Sequence, residues 1–281
     1  MYETDDLEEL LGEFRNKKLL VVEPQGNFGD HLIFRGFEKL CSEKEVELDI
    51  IRRRSIFSSL LGYLQLGWKT FNPYDTYDAV YIHGGGNFNE IWGEGVNLYN
   101  RITSIYDGTV IVGPQSCKFG ETNPKDVFEN VDNETYFHCR EKYSFEIMED
   151  STEELGHVSL SLSHDTALHL EASDFKVDQT DEDYTLVALR GDKESAGADP
   201  EFDRSKNIIQ SDVSSESKNL DDFINTIANA EEVYTDRLHV AITAYIFNVP
   251  TTFYDNMYHK NRGVYGYSLS DSNKVQFEYL R

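Results

Sequence analysis

Basic residues are scarce in this chain of 281 residues, which has 26 Lys and Arg side chains against 51 Asp and Glu and a formal net charge of -25. The deficit argues against binding of nucleic acids or anionic membranes through a broad basic surface, because such binding needs an excess of positive charge. The acidic residues recur along the whole chain. A surface of this kind suits solubility in a salt-rich cytoplasm and favours a halophilic source.

Cysteines are also few: Cys41, Cys117 and Cys139 are far apart in sequence and form no Cys-x-x-Cys pair. The sequence therefore supports neither a disulfide framework nor a zinc site, and we expect no metal. No apolar run approaches the roughly 20 residues that span a bilayer, and the acidic start of the chain is unlike a signal peptide. We expect a globular cytoplasmic protein with reduced thiols, since 39% of its residues are hydrophobic and 13% aromatic.

Short apolar runs alternate with helical patterns along most of the chain, which predicts an α/β fold with parallel sheets. Strands are predicted at Leu19–Pro24, Leu48–Ile51, Ala79–His83, Val110–Gly113, Tyr136–Cys139, Val158–Leu162, Tyr184–Arg190, Glu232–Thr235 and Thr251–Tyr254. We expect two Rossmann-like domains with a cleft between them. The first covers residues 1–170 and the second 184–281, with an acidic linker at 171–183.

Three potential cations gather around one predicted strand–helix junction. Arg237 and His239 are predicted in the first turn of the helix, and Lys260 follows the next strand. A helix start carries partial positive charge, so basic residues suit it only if an anion lies between them and the free N–H groups. Together the three residues predict an anion site. Taken singly, each has a plainer alternative: Arg237 pairs with Asp236 or another carboxylate, and His239 is a partly buried core histidine.

Two glycine segments follow predicted strands, where ligands of parallel sheets bind. Gly26 and Asn27 belong to Gly-Asn-Phe-Gly-Asp30, in which Asp30 can cap the next helix. This is not the G-x-G-x-x-G fingerprint, so NAD or FAD is not indicated. Gly84, Gly85 and Gly86 predict close approach by a ligand or by the facing domain.

Further polar side chains are predicted at the same sheet edge. His83 and Asn87 flank the glycine triplet and could hydrogen-bond a sugar hydroxyl, although His83 is equally well a core histidine. Arg140, predicted at a helix start, and Arg190, at a strand end, add positive charge. Nearby carboxylates such as Glu141 and Glu194 are the alternative partners of these two arginines.

The order of these segments resembles that of the polysaccharide pyruvyl transferase family. The resemblance covers about Val21 to Gly266 and rests on Gly-Asn-Phe-Gly-Asp, Gly-Gly-Gly-Asn, Arg140-Glu-x-x-Ser, His164-Asp165, Leu-Arg-Gly-Asp-Lys-Glu at 189–194 and, most specifically, Thr-Asp-Arg-Leu-His with the later Lys260. His164-Asp165 stands where Pro-Asp is common in the family.

The resemblance implies a GT-B-like arrangement of the two domains. It also implies transfer of pyruvate from phosphoenolpyruvate, a substrate and not a cofactor, onto two hydroxyls of a glycan sugar. The acceptor would be a polysaccharide or a lipid-linked oligosaccharide, the latter placing the protein at the inner face of the membrane. The phosphoenolpyruvate side is expected in the C-terminal domain and the acceptor side in the N-terminal one.

The resemblance further implies residue roles. Arg237 would bind the donor's carboxylate or phosphate through paired N–H groups, and Lys260 would contact the phosphate. His239 is the candidate general acid, because imidazole titrates near neutral pH and a bound phosphate favours its protonated form. Asp30 or His83 would accept the sugar's proton. Two other functions stay open: a GT-B-type nucleotide-sugar glycosyltransferase and a non-catalytic glycan- or phosphate-binding protein.

Overall fold

The structure is a computed structural model that describes residues 6–22, 26–51, 76–178, 180, 183–201, 205 and 207–279. The chain divides into two compact units. The first unit comprises Met1–Gln25 and Gly36–Thr166, and the second unit comprises Gly26–Arg35 and Ala167–Arg281. Residues 23–25 of the first predicted strand and its following loop, and residues 179, 181 and 182 of the predicted linker, lie outside the described residues.

A six-stranded sheet forms the centre of the first unit, in the order β2-β1-β3-β4-β5-β6, with every neighbouring pair parallel. Its strands are β1 (Lys18–Val22), β2 (Glu47–Ile51), β3 (Ala79–Ile82), β4 (Thr109–Gln115), β5 (Thr135–Cys139) and β6 (Val158–Leu162). The helices among the described residues before the second unit's sheet are α1 (Asp6–Glu13), α2 (Phe28–Glu43), α3 (Glu94–Thr103), α4 (Lys125–Phe128) and α5 (Lys142–Thr152). Because strands buried on both faces read as continuous apolar runs, β1, β3 and β4 were readily predicted.

The second unit has a five-stranded parallel sheet in the order β11-β10-β9-β7-β8. Its strands are β7 (Thr185–Ala188), β8 (Ile208–Gln210), β9 (Glu232–Thr235), β10 (Thr251–Tyr254) and β11 (Val275–Glu278). Its helices are α6 (Val213–Glu216), α7 (Leu220–Ala228), α8 (Leu238–Ile246) and α9 (Lys260–Val264), the last continuing as a π-helical turn over Tyr265–Leu269. Short 3₁₀ turns cover Thr166–His169 and Ala172–Asp174.

Local sequence explains the helices that cover this sheet. Asn219 caps α7 by accepting the Asp222 N–H at 2.8 Å, and apolar side chains at helical spacing bury one face of α7. Helix α8 is apolar nearly all round and lies in the core. Leu32, in the first turns of α2, belongs to the same core, which is why the segment Gly26–Arg35 groups with the second unit and not with the residues before it.

The strand order of the second sheet contains a topological switch point between β7 and β9. From β7 the chain goes first to β8 on one side and then returns to β9 on the other. At such a reversal the connections diverge to opposite faces and leave a crevice at the carboxyl ends of the strands, where open α/β sheets bind ligands. Arg190 follows β7 and Arg237 follows β9, so both arginines flank this point.

The predicted α/β class with two parallel sheets is confirmed. The division between the two compact units falls between Thr166 and Ala167, and Gly26–Arg35 belongs with the C-terminal unit. Strands β8 and β11 were not predicted, since β8 has only three residues and neither strand is a fully buried apolar run. Within the described residues, no helix is long and apolar enough to cross a membrane.

Candidate functional site

A network of charged side chains lies at the carboxyl ends of β7, β8 and β9 in the second unit. The Arg190 guanidinium donates through Nε and Nη2 to both carboxylate oxygens of Asp192, at 2.8 and 2.9 Å. Its Nη1 donates to Glu194 Oε2 at 2.5 Å. Two carboxylates thus hold Arg190. The sequence offers pairing with a carboxylate such as Glu194 as the alternative to anion binding by this arginine.

The same Glu194 oxygen accepts a hydrogen bond from Lys260 Nζ. Glu194 and Lys260 are both largely buried. The Met257 N–H donates to the Glu194 carbonyl at 3.1 Å, so the loop after β7 and the loop after β10 are joined twice. The structure therefore brings Arg190 and Lys260 together around one buried carboxylate, as the predicted anion site required, but with an acid already between them.

Arg237 occupies the position just before α8, not its first turn. Its backbone is extended (φ -92°, ψ 115°), and its N–H donates to Thr235 Oγ1 at 3.0 Å. The guanidinium pairs through Nη2 with Asp212, which follows β8, and lies 3.7 Å from an Asp192 oxygen. Its Nε has no hydrogen-bond partner among the described residues, so one donor of this buried guanidinium is still available.

Burial and charge pull the carboxylates of this network in opposite directions. Burial raises the pKa of Asp236, although the Arg190 N–H and the charges of Arg190 and Arg237 oppose the shift. Burial also acts to raise the pKa of Asp192, but the hydrogen bonds from Arg190 and the Glu194 N–H and the charges of Arg190 and Arg237 together outweigh it and leave that pKa below its usual value. Three cations and four carboxylates share this region, so the network carries no excess positive charge.

Asn261 ties the ends of β9 and β10 together. Its side-chain Nδ2 donates to the carbonyls of Asp236 (2.7 Å) and Tyr254 (2.9 Å), and the residue is fully buried. Because Lys260 precedes Asn261 in the same helix, these two hydrogen bonds hold the start of that helix at the ends of β9 and β10. Asn261 and Asp212 were not predicted. Asp212 follows a strand too short to detect, and Asn261 carries no charge to mark it.

His239 lies in the first turn of α8 and is packed against the start of α2. A Cβ added to Gly29 would lie 2.4 Å from His239 Nδ1, so the imidazole occupies the space that any other residue at position 29 would need. Phe28 packs on Phe223 of α7, with ring centroids 5.9 Å apart. The glycine at position 29 is therefore required by the imidazole.

A capping box builds this start of α2. Asn27 Oδ1 accepts the Gly29 N–H at 2.8 Å, and Asp30 Oδ2 accepts the Asn27 N–H at 3.0 Å. The Asp30 carboxylate also fills the space beside Gly26, where a Cβ would lie 1.9 Å from Oδ2. The predicted capping role of Asp30 agrees with these bonds. Gly26, Asn27, Asp30 and His239 are thus brought together in the second unit.

The glycine triplet after β3 lies in the first unit and is explained by the neighbouring strand. A Cβ at Gly84 would lie 2.9 Å from the Pro114 carbonyl oxygen, and Gly85 has a φ of 130°. The Gly85 N–H donates to Pro114 and the Gly85 carbonyl accepts from Ser116, both at 2.8 Å. The close approach predicted for a ligand or a facing domain is made instead by β4 of the same unit.

His83 and Asn87 flank this segment as predicted, and Gln115 fixes both. The buried Gln115 side chain donates through Nε2 to the His83 carbonyl at 2.7 Å, and its Oε1 accepts from the Asn87 backbone N–H at 3.4 Å. Gly86 is half-buried, and its carbonyl accepts from Asn89 at 2.7 Å. His83 is buried at the strand end, which is the position of a core histidine.

Arg140 precedes α5 instead of starting it, since Glu141 is the capping residue of that helix. Its guanidinium is almost completely buried, donating to Asp165 at 2.7 Å and to Ser116 Oγ at 2.8 Å. Asp165 is equally buried. The pair therefore joins β5 to the segment after β6, an arrangement that favours a structural role for Arg140 over direct ligand contact.

Comparisons with known proteins agree with the two-sheet architecture. A functionally uncharacterized protein of Klebsiella pneumoniae subsp. pneumoniae NTUH-K2044 has a similar structure, with a TM-score of 0.71 and 23% identity over 97% of each chain. The Escherichia coli heptosyltransferase WaaC, solved with ADP-2-deoxy-2-fluoro heptose, gives a TM-score of 0.38 and 11% identity over 93% of this chain and 92% of its own, too low to indicate a common fold. No curated protein is significantly similar. The family model for polysaccharide pyruvyl transferase matches residues 27–257, most of the chain and every residue of the network except Lys260 and Asn261. The chain therefore belongs to the polysaccharide pyruvyl transferase family.

Proposed function

We propose that the protein transfers pyruvate from phosphoenolpyruvate onto two hydroxyls of a glycan sugar, forming a cyclic ketal. Family membership supports a pyruvyl transferase acting in glycan biosynthesis. The observation that carries the finer proposal is the gathering of Arg190, Arg237 and Lys260 at the switch point of the second sheet. A small acid with both a carboxylate and a phosphate matches such a group of guanidinium and ammonium donors.

The cations are paired in the protein, so binding of the donor is an exchange of partners. A buried guanidinium without a counter-charge would destabilise the fold by several kcal/mol. Asp192 and Asp212 are the more exposed carboxylates of the network, with 34% and 23% of their side chains exposed, while Glu194 is at 3%. We therefore propose that the ligand takes Arg237 from Asp212 and Asp192, and that Glu194 stays in place and holds Arg190 and Lys260.

His239 is proposed as the general acid. It lies two residues after Arg237, in the first turn of α8, so an anion bound by Arg237 would lie near the imidazole. The imidazole fills the space beside Gly29, in the first turn of α2. Asp30 already accepts the Asn27 N–H, and we propose that it positions Gly29 in preference to accepting a proton from the sugar.

The proposed reaction balances with one donor and two hydroxyls. His239 delivers a proton to the methylene carbon of phosphoenolpyruvate, which becomes the methyl group. One sugar oxygen bonds to the carbon that bears the phosphate. The second sugar oxygen then bonds to the same carbon as its bond to the phosphate oxygen breaks. Of the two hydroxyl protons, one restores the general acid and the other leaves with inorganic phosphate.

Mass spectrometry of the glycans from cells lacking this protein tests the proposal. We expect loss of about 70 Da, one pyruvate less water, from a sugar residue. Returning the wild-type chain should restore this mass, whereas Arg237→Ala or His239→Ala should not. Gly12→Ala is a matched control, because a Cβ there would meet nothing within 4 Å. A missing hexose would point to a glycosyltransferase instead, and unchanged glycans would refute the proposal.

A further inference from the structure

Several buried polar atoms in the second unit have no hydrogen-bond partner among the described residues. They include Arg237 Nε, Asp212 Oδ1, Asn261 Oδ1, and both Oδ1 and Nδ2 of Asn256. A buried amide without hydrogen bonds is unfavourable by roughly 1–3 kcal/mol, so most native structures avoid it. These atoms belong to residues beyond the carboxyl ends of β8, β9 and β10, which are neighbours of the proposed donor site.

Asn256 is the clearest case, because its whole carboxamide is unpartnered among the described residues while only 4% of the residue is exposed. It follows β10 by two residues. The next residue, Met257, donates its N–H to the Glu194 carbonyl at 3.1 Å, and Asn261 donates to the Tyr254 carbonyl at 2.9 Å. Asn256 thus lies in the segment between the end of β10 and Lys260, next to the residue that contacts Glu194.

We infer that Asn256 is a binding residue for the phosphate-bearing donor, its Nδ2 donating to an anionic oxygen held by Lys260. The inference rests on the proposed function, since it names a further contact at the same site. The other hydrogen-bond donors of the proposed site, Arg190, Arg237 and Lys260, are positively charged. A neutral amide adds a directional hydrogen bond to the ligand without adding a charge that needs a carboxylate partner. The carboxamide has almost no contact with solvent, so the ligand reaches it only when the side chains that cover it move.

An asparagine kept for binding and not for folding has a distinctive mutational signature. Replacing one partner of a satisfied buried hydrogen bond leaves the other partner, here a carbonyl, unpaired, whereas replacing a group that has no partner leaves nothing unpaired. Asn133 is the matched control in this chain. It is also buried (5% exposed), but its Nδ2 donates to the carbonyls of Tyr106 at 2.7 Å and Gly108 at 2.8 Å.

The test compares full-length Asn256→Leu, Asn256→Ala and Asn133→Leu with the wild type, by thermal unfolding and by calorimetric titration with phosphoenolpyruvate and with inorganic phosphate. We expect Asn256→Leu to unfold at or above the wild-type temperature and to bind both probes roughly ten- to a hundredfold more weakly, since a hydrogen bond to a charged group is lost. Asn133→Leu should unfold at a lower temperature and bind both probes like the wild type.

Three results separate the inference from the proposed function. If the wild type binds phosphoenolpyruvate and both Asn256 variants bind it equally well, the inference is wrong and the proposed function stands. If the wild type binds phosphate but not phosphoenolpyruvate, and the Asn256 variants lose phosphate, the inference holds and the proposed donor is wrong. If both Asn256 variants unfold as early as Asn133→Leu with unchanged binding, Asn256 serves the fold through ordered water and the inference is overturned. Failure of the wild type to bind either probe would overturn both the inference and the proposed function.

Discussion

The replacement Gly29→Ala should damage catalysis by displacing the imidazole of His239. The added Cβ would lie 2.4 Å from His239 Nδ1, whereas ordinary contacts begin at 3.4 Å, so the ring must move by about 1 Å. Displacement of a catalytic group by about 1 Å lowers turnover by roughly 10²-fold, or about 2.7 kcal/mol in the activation free energy. Position 29 is helical, and alanine is favoured over glycine there by about 1 kcal/mol.

Turnover is measured as phosphate released from phosphoenolpyruvate with a competent glycan, and stability as urea-induced unfolding. Gly12→Ala is the control, because it makes the same change near the end of α1 with open space around the new methyl. It should unfold at slightly higher urea and turn over like the wild type. Wild-type turnover by Gly29→Ala would refute the assignment of His239, since the ring could then move without effect on the reaction.

Three more replacements test the charged groups. Arg237→Lys keeps the charge but loses the paired donors, so the KM for phosphoenolpyruvate should rise about tenfold or more in steady-state assays; an unchanged KM would exclude a paired contact. Asp165→Asn leaves the buried Arg140 without its carboxylate and should lower the free energy of unfolding by about 3–5 kcal/mol in urea titrations; a loss below about 1 kcal/mol would contradict the pairing. Hydrogen bonds from the Thr122 hydroxyl and N–H lower the pKa of Glu90 from 4.5 to about 2. A small opposing effect of burial is outweighed, with help from the Gly120 and Glu121 N–H groups. The stability that these hydrogen bonds provide is present above pH 4.5 and lost as the pH falls towards 2. The difference in urea unfolding midpoint between the wild type and Glu90→Gln should therefore shrink between pH 4.5 and 2, and a constant difference would contradict this prediction.

Much of the fold could be predicted because the strands of parallel sheets are buried on both faces. The run that forms β3 is continuous and apolar or aromatic, and β9 and β10 are rich in the β-branched and aromatic residues that favour strands. Strand β8 has three residues of which none is buried, so its two isoleucines form too short an apolar run to indicate a strand. The grouping of Gly26–Arg35 with the second unit was equally hidden, because it depends on where Leu32 and Phe28 pack and not on their own pattern.

The cations of this charged network were predicted at strand ends, but most of the carboxylates that pair with them were not. Arg190, Arg237 and Lys260 were recognised because cations stand out in an acidic chain, and the rule for strand ends placed them together. Glu194 was named from the sequence as the alternative partner of Arg190, and the structure has this pair. Asp192 and Asp212 are two of 51 acidic residues, and single acids cannot be selected from such a background. Asn256 and Asn261 carry no charge, so only burial and hydrogen bonding single them out.

Pairing of these cations in the protein itself is what the physics of burial requires. Arg190, Arg237 and Lys260 each have a tenth or less of their side chain exposed. An unpaired charge at that depth would destabilise the fold by more than many domains can tolerate. A buried site for a doubly anionic ligand must therefore fold with carboxylates in the place of the ligand. The binding free energy of the ligand is then the difference between the ion pairs that it forms with the cations and those that it displaces. Asp212→Asn makes this measurable. Removal of the carboxylate that competes for Arg237 should tighten phosphate binding and lower stability together, whereas weaker binding would mean that Asp212 orients the guanidinium and is not displaced.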